Sequence, residues 1–153
     1  MTPHRALPPY DWPAVLALLH RAFADMTGRI DPPSSLHALT PQAIAQQAIT
    51  GEVWVIAPTA ACLFLTPRPG RLYLGKLAVD PAQQGSGHAR TLITLAETRA
   101  KALGLPLLEL ETRVELTENQ TLFQHLGFRE TARKSHPGFS RPTSITYTKP
   151  IAG

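Results

Sequence analysis

The chain has 153 residues, 43% hydrophobic and 17% charged, which suits one ordinary domain with its own core and excludes a disordered chain. Its formal charge of +4 fits nucleic acid or a phosphorylated small ligand. The basic residues are dispersed, with one loose group at Arg129, Arg133, Lys134 and Arg141 and no interleaved aromatics, so a nucleic-acid surface is not expected.

The first element is a helix over about 12–26, where Val15, Leu18, Leu19, Ala22, Phe23 and Met26 form one apolar stripe and Asp11 is the N-cap. A weaker helix follows over about 41–49, with Thr40 as cap and Pro41 at its first position. Glu52–Ala57 and Ala61–Thr66 read as a hairpin, and the turn Pro67-Arg68-Pro69-Gly70 leads into a third strand, Arg71–Val79. Gly75 interrupts that strand; it marks either a bulge or simple packing tolerance. Cys62, the single cysteine, lies in an apolar stretch and reads as a small buried hydrophobe, not a reactive thiol.

A helix over about 88–103 buries Ala89, Leu92, Ile93, Ala96, Ala100 and Leu103, and Gly104 ends it. Leu107–Thr112 is the next strand, so strand, helix and strand make a parallel, right-handed crossover. Thr117-Glu118-Asn119-Gln120 has the form of a capping box and opens a helix ending at Gly127. Phe128–Ala132 and Thr143–Lys149 close the chain as strands. The expected fold is α/β in the α+β sense: a mixed sheet, helices on both faces, and one domain over residues 1–153.

No apolar run approaches the ~20 residues of a bilayer span. The N-terminus lacks the apolar core of a signal peptide, so a cytoplasmic protein with no membrane partner is expected. The six histidines show no metal-binding spacing, so no metal is expected.

The chemistry concentrates in Val79-Asp80-Pro81-Ala82-Gln83-Gln84-Gly85-Ser86-Gly87-His88-Ala89-Arg90, where a strand ends, a glycine-rich turn follows and a helix begins. A helix N-terminus leaves about four N–H groups unpaired, and glycines let that backbone close on a phosphate. The dinucleotide fingerprint fails because Arg90 stands at its third glycine position, and the P-loop pattern is absent.

Gln84-Gly85-Ser86-Gly87-His88-Ala89 resembles the Q/R-x-x-G-x-G/A signature of the N-acetyltransferase (GNAT) superfamily. Leu77-Ala78-Val79-Asp80-Pro81 resembles its lead-in strand, and Leu122-Phe123-Gln124-His125-Leu126-Gly127-Phe128 its closing aromatic-x-x-L-G-F motif. The resemblance implies a mostly antiparallel sheet whose parallel strands splay apart to take the pantetheine arm of acetyl-coenzyme A. Leu77, Ala78 and Val79 would line the arm, and the N–H groups of Gln84, Gly85, Ser86, Gly87, His88, Ala89 and Arg90 would wrap the pyrophosphate. A bulge at Gly75 would open the splay, Asn119 would hydrogen-bond the arm and Phe123 would pack near the sulfur. It implies transfer of acetyl to a primary amine of a small molecule or peptide, and homodimers are common in the family. The alternative is a non-catalytic coenzyme A-binding regulatory module.

Phe123 occupies the position where the family usually carries a proton-donating tyrosine. A thiol with a pKa of about 8.5 is a fair leaving group without that donor. A nearby water, Tyr73 or His125 is the substitute donor, and Tyr73, four and six residues before Leu77 and Val79, is expected on their face. Glu111 is the candidate general base, with Glu115 next. The polar loop Ser135–Ser144 is either plain surface or an acceptor wall in which His136 and Arg141 meet the substrate.

Overall fold

The computed structural model describes residues 2–151. Its strands are β1 His4–Arg5, β2 Glu52–Ile56, β3 Ala61–Arg68, β4 Arg71–Val79, β5 Leu107–Arg113, β6 Arg129–Lys134 and β7 Ser144–Pro150. Its α-helices are α1 Trp12–Ala22, α2 Pro41–Thr50, α3 His88–Leu103 and α4 Thr117–His125, with short 3-10 turns at Ala24–Met26, Ser35–Ala38 and Pro81–Gln83. Among the described residues the strands form one seven-stranded sheet in the order β1-β2-β3-β4-β5-β7-β6. Only β4 and β5 pair in parallel there, across the α3 crossover. No helix of the described residues is long and apolar enough to cross a membrane.

Side-chain alternation sends each strand into two cores. Leu63, Leu65, Leu72, Leu74, Leu108 and Leu110 pack beneath α3 and α4, against Leu92, Ile93, Ala96, Phe123 and Leu126. Val53, Val55, Cys62, Phe64 and Ala78 face α1 and α2, against Val15, Leu18, Leu19 and Ile44. Each fully buried Leu or Ile contributes roughly 1.5–3 kcal/mol by leaving water. Arg99 of α3 is bound to the buried Glu52 of β2 at 2.7 and 2.9 Å, and the Trp54 indole donates to the same carboxylate at 2.8 Å. Burial raises the carboxyl's pKa, but these donors outweigh it and hold the group below its ordinary value.

Several local expectations change. The first helix stops at Ala22, and its last stripe residues turn away through Phe23 and the 3-10 turn to Met26. β3 runs on through Pro67 and Arg68, leaving Pro69-Gly70 as the turn. The capping box does not form: Leu116 is the N-cap, its carbonyl takes the Asn119 and Gln120 N–H groups, and the Gln120 amide donates to the Val114 carbonyl. Leu103 is exposed, and His88 takes a place on the buried stripe of α3. The edge strand β1 was not expected from the sequence, and its short pairing with β2 is the reason.

Candidate active site

The bulge that shapes the site lies one residue beyond Gly75. Phe64 pairs with Gly75 but Cys62 pairs with Ala78, so Lys76 and Leu77 together oppose Leu63. Lys76 adopts φ 51°, a left-handed conformation that costs a non-glycine residue roughly 1–2 kcal/mol. The Cys62 thiol, pushed up to about 12 by burial, donates to the Lys76 carbonyl at 3.5 Å and supports the bulge from behind.

The extra residue reverses side-chain parity. Leu72 and Leu74 share the α3 face with Leu77 and Val79, whereas Tyr73 pairs with Thr66 and faces the α1 side. The expectation that Tyr73 shares the face of Leu77 and Val79 is therefore corrected. Its phenol donates to the Glu111 carboxylate at 3.2 Å, and the Arg68 guanidinium lies 3.9 Å from its ring centre. Burial first, then the Glu111 charge and hydrogen bond, push that phenol up to about 12.

Parallel pairing between β4 and β5 runs only through Leu72, Tyr73 and Leu74 against Leu108, Glu109 and Leu110. Beyond that point the two strands part, and the β5-facing backbone groups of Gly75–Val79 have no ladder partner. Two clefts open there.

The first cleft holds about 720 Å³ and is walled by Leu77, Ala78, Val79, Gln84, Gly85, Gly87, His88, Ala89 and Arg90, with Asn119 and Phe123 at its far end. Gly85 and Gly87 stand at φ 85° and 86°, and a Cβ on either would meet nothing within 4 Å. Gly87 is the N-cap of α3 and supplies no side-chain cap, so the first turn of the helix, which lines the cleft, lacks a side-chain partner for its N–H groups. Asp80 anchors the approach to this turn. It accepts from the Ala82 N–H at 2.9 Å and from Arg21 of α1 at 3.0 Å, and those bonds hold its carboxyl below the usual range.

The second cleft holds about 390 Å³ and lies between Leu74–Leu77 and Leu110–Arg113, closed by Pro33–Ser35, His136 and Ser144. Phe23, Met26, Leu77, Leu116, Asn119 and Phe123 wall both clefts, so the two meet at the splay. Glu111 lines the second cleft and lies 3.4 Å from the Lys134 ammonium. The His136 ring is pinned by the buried Thr143 hydroxyl, which also accepts the His136 N–H at 2.9 Å.

The splay thus gathers Leu77, Ala78, Val79, Gln84, Gly85, Gly87, His88, Ala89, Arg90, Asn119, Phe123, Glu111 and His136 around one connected space. Among the described residues, Tyr73, Ser86, His125 and Arg141 line neither cleft. His125 is exposed at the end of α4, and Arg141 reaches Asp31 at 3.6 Å, tying two loops together outside the space. Glu115 accepts from the Asp31 N–H at 3.3 Å. Phe23, Met26, Lys76 and Arg113 are wall residues that the sequence analysis did not assign to a site.

The model of the Acetyltransferase (GNAT) family matches residues 15–128. A [ribosomal protein bS18]-alanine N-acetyltransferase of Haemophilus ducreyi is 38% identical over 76 residues, covering 47% of this chain and 52% of that protein. The matched segment thus spans about half the length of that curated relative. The ribosomal-protein-S18-alanine N-acetyltransferase of Escherichia coli superposes with TM-score 0.71 at 21% identity, over 99% of this chain and 96% of that one. A GNAT acetyltransferase of Elizabethkingia anophelis with acetyl-CoA bound gives 0.69 at 20%, over 98% and 97%.

Proposed function

Because the chain belongs to the acetyltransferase (GNAT) family, we propose that it is an N-acetyltransferase, one catalytic domain that moves an acetyl group from acetyl-coenzyme A to a primary amine of a small molecule or peptide. The observation that carries this reading is the continuity of the two clefts through the β4–β5 splay, one bordered by the glycine turn and the uncapped start of α3, the other by Lys76, Glu111 and Arg113.

The first cleft fits the donor. The open space over Gly85 and Gly87 and the uncapped start of α3 suit a pyrophosphate, held by the N–H groups of residues 84–90. The free edge of β4 at Leu77, Ala78 and Val79 offers backbone partners for an amide-bearing arm, and Asn119 and Phe123 border its end. When bound, acetyl-coenzyme A supplies the activated acyl group as a thioester.

The chain must align the amine, take its proton and stabilise developing oxyanion charge. Alignment of two reactants in adjoining clefts is worth up to about 7–11 kcal/mol. A backbone N–H of the β4 bulge would donate to the oxyanion. Glu111 is the proposed base, with its carboxylate held by the Tyr73 phenol and the Lys134 ammonium. Tyr73 acts as a positioning residue, because its phenol donates to Glu111 and the residue lines neither cleft. Phe123 supplies no proton, and the thiolate leaves without one. His136 contributes to the acceptor wall, and Arg141 holds that wall through Asp31.

Phe123 favours a second reading, a coenzyme A-binding module without turnover. Thermal melting with acetyl-coenzyme A and a thiol-release assay with an amine panel separate the two. The transferase reading expects both a rise and release; the module reading expects the rise alone. At about 100 times Kd the ligand adds roughly 2.7 kcal/mol, several degrees for a chain of this size. No rise at saturating ligand overturns both.

A further inference from the structure

The charges in the second cleft are uneven. Its ionisable walls are Lys76, Arg113, Glu111 and His136. Glu111, the one carboxylate, is already engaged by Tyr73 at 3.2 Å and Lys134 at 3.4 Å. Lys76 makes no ion pair with any carboxylate among the described residues. Arg113 gives one N–H from each terminal nitrogen to the Pro32 and Pro33 carbonyls, keeps its other donors, and likewise reaches no carboxylate within salt-bridge distance. The charges of Glu115 and Asp31 partly offset that of Arg113, but both carboxylates stand outside the cleft wall, and Lys76 has no such offset.

Two cations therefore share one half-buried cleft. Burial, then the Arg113 charge, holds the Lys76 ammonium below the ordinary lysine range. The left-handed bulge fixes where this lysine leaves the strand, despite the conformational cost to a residue with a side chain. An anion entering the cleft would relieve a repulsion that the protein itself leaves standing.

On the transferase reading above, we propose that the acceptor carries a carboxylate beside its amine, an amino acid or short acidic peptide, and that Lys76 with Arg113 binds this carboxylate while the amine faces Glu111. The volume of about 390 Å³ suits a ligand of that size. A charge-assisted hydrogen bond from an incompletely solvated ammonium gives both affinity and orientation.

Calorimetry on the full chain saturated with coenzyme A tests this. The probes are α-amino acids and glycyl dipeptides, each against its carboxamide, with glutamate against glutamine as the side-chain pair. The expected result is a carboxylate form bound at least ~10-fold more tightly than its amide, consistent with a charge-assisted hydrogen bond. Lys76→Met erases that ratio and Lys76→Arg keeps it. Equal binding of every pair, or a preference untouched in Lys76→Met, overturns the proposal. Thiol release from acetyl-coenzyme A is read in parallel. Anion preference without release leaves the carboxylate site standing and removes the transferase reading; release without preference does the reverse.

Discussion

The two clefts are built from different materials. The larger contains a glycine turn, the uncapped start of α3 and the unpaired edge of β4, closed over by residues of α1, the turn after it and α4. The smaller contains the charged residues Lys76, Glu111 and Arg113 and is drawn from segments as far apart in sequence as Phe23 and Ser144. Backbone donors recognise a group common to many reactions, and side chains recognise a particular acceptor. A substitution in one cleft should therefore leave the other readable, and that separation can be tested.

The largest expected effect is on turnover. Glu111→Gln should lower kcat by ~10²–10⁴, the usual worth of a general base. The melting rise with acetyl-coenzyme A should remain, because Glu111 lines only the acceptor cleft. Loss of both together would mean that the two clefts are not independent.

Gly87→Val is the reciprocal change. It places a branched side chain at φ 86° over open space that the ligand needs. The rise of roughly 2.7 kcal/mol expected at about 100 times Kd should disappear. Nothing in the protein stands within 4 Å of the new Cβ, so the cost to the fold is the strain alone, about 1–2 kcal/mol. A retained rise would place the anion elsewhere.

This contrast also explains what could be read from the sequence. Gly85, Gly87 and the stripe of Leu92, Ile93, Ala96 and Ala100 are local patterns, and they mark the glycine turn and the crossover in the sequence itself. The bulge was not local in that sense. Gly75 was the residue with conformational freedom, yet Lys76 takes the left-handed position, because Cys62 and Ala78 must pair on the far side of the strand. Parity after the bulge then put Tyr73 on the opposite face. Likewise Thr117 to Gln120 matched a capping box, but the buried Leu116 starts the helix one residue earlier and Arg29 takes Glu118 at 2.8 Å. Of the second cleft's walls, Glu111 and His136 were singled out, whereas Phe23, Met26, Lys76 and Arg113 were illegible because each is ordinary in its own segment.

A third change addresses the frame that both clefts share. Glu52→Ala leaves Arg99 and Trp54 without their acceptor and should cost roughly 1.5–3 kcal/mol, measured by denaturant unfolding. Acetyl-coenzyme A affinity should be unchanged once the variant is folded. The Glu52 carboxyl is held below its ordinary value, so its contribution is present above the unfolded-state pKa of about 4.3 and is lost as pH falls through the lower folded value. The wild type should thus lose stability below about pH 4.3 faster than Glu52→Ala does.

The smallest effect decides how Tyr73 works. Tyr73→Phe removes one hydrogen bond to Glu111, worth about 0.5–1.5 kcal/mol, and so should lower kcat by about 2- to 10-fold. The phenol is raised to about 12, from 10 in the unfolded chain. Its contribution is therefore complete below about pH 10 and lost only as pH rises through about 12. A positioning phenol predicts the same fractional loss at every pH from about 6 to 10. A proton-donating phenol predicts an alkaline limb near pH 12 in the wild-type profile, above that window, that vanishes in Tyr73→Phe. Its place on the α1 face, behind the bulge and outside both clefts, supports the uniform loss, and a vanished limb would require Tyr73 to reach the thioester side of the sheet.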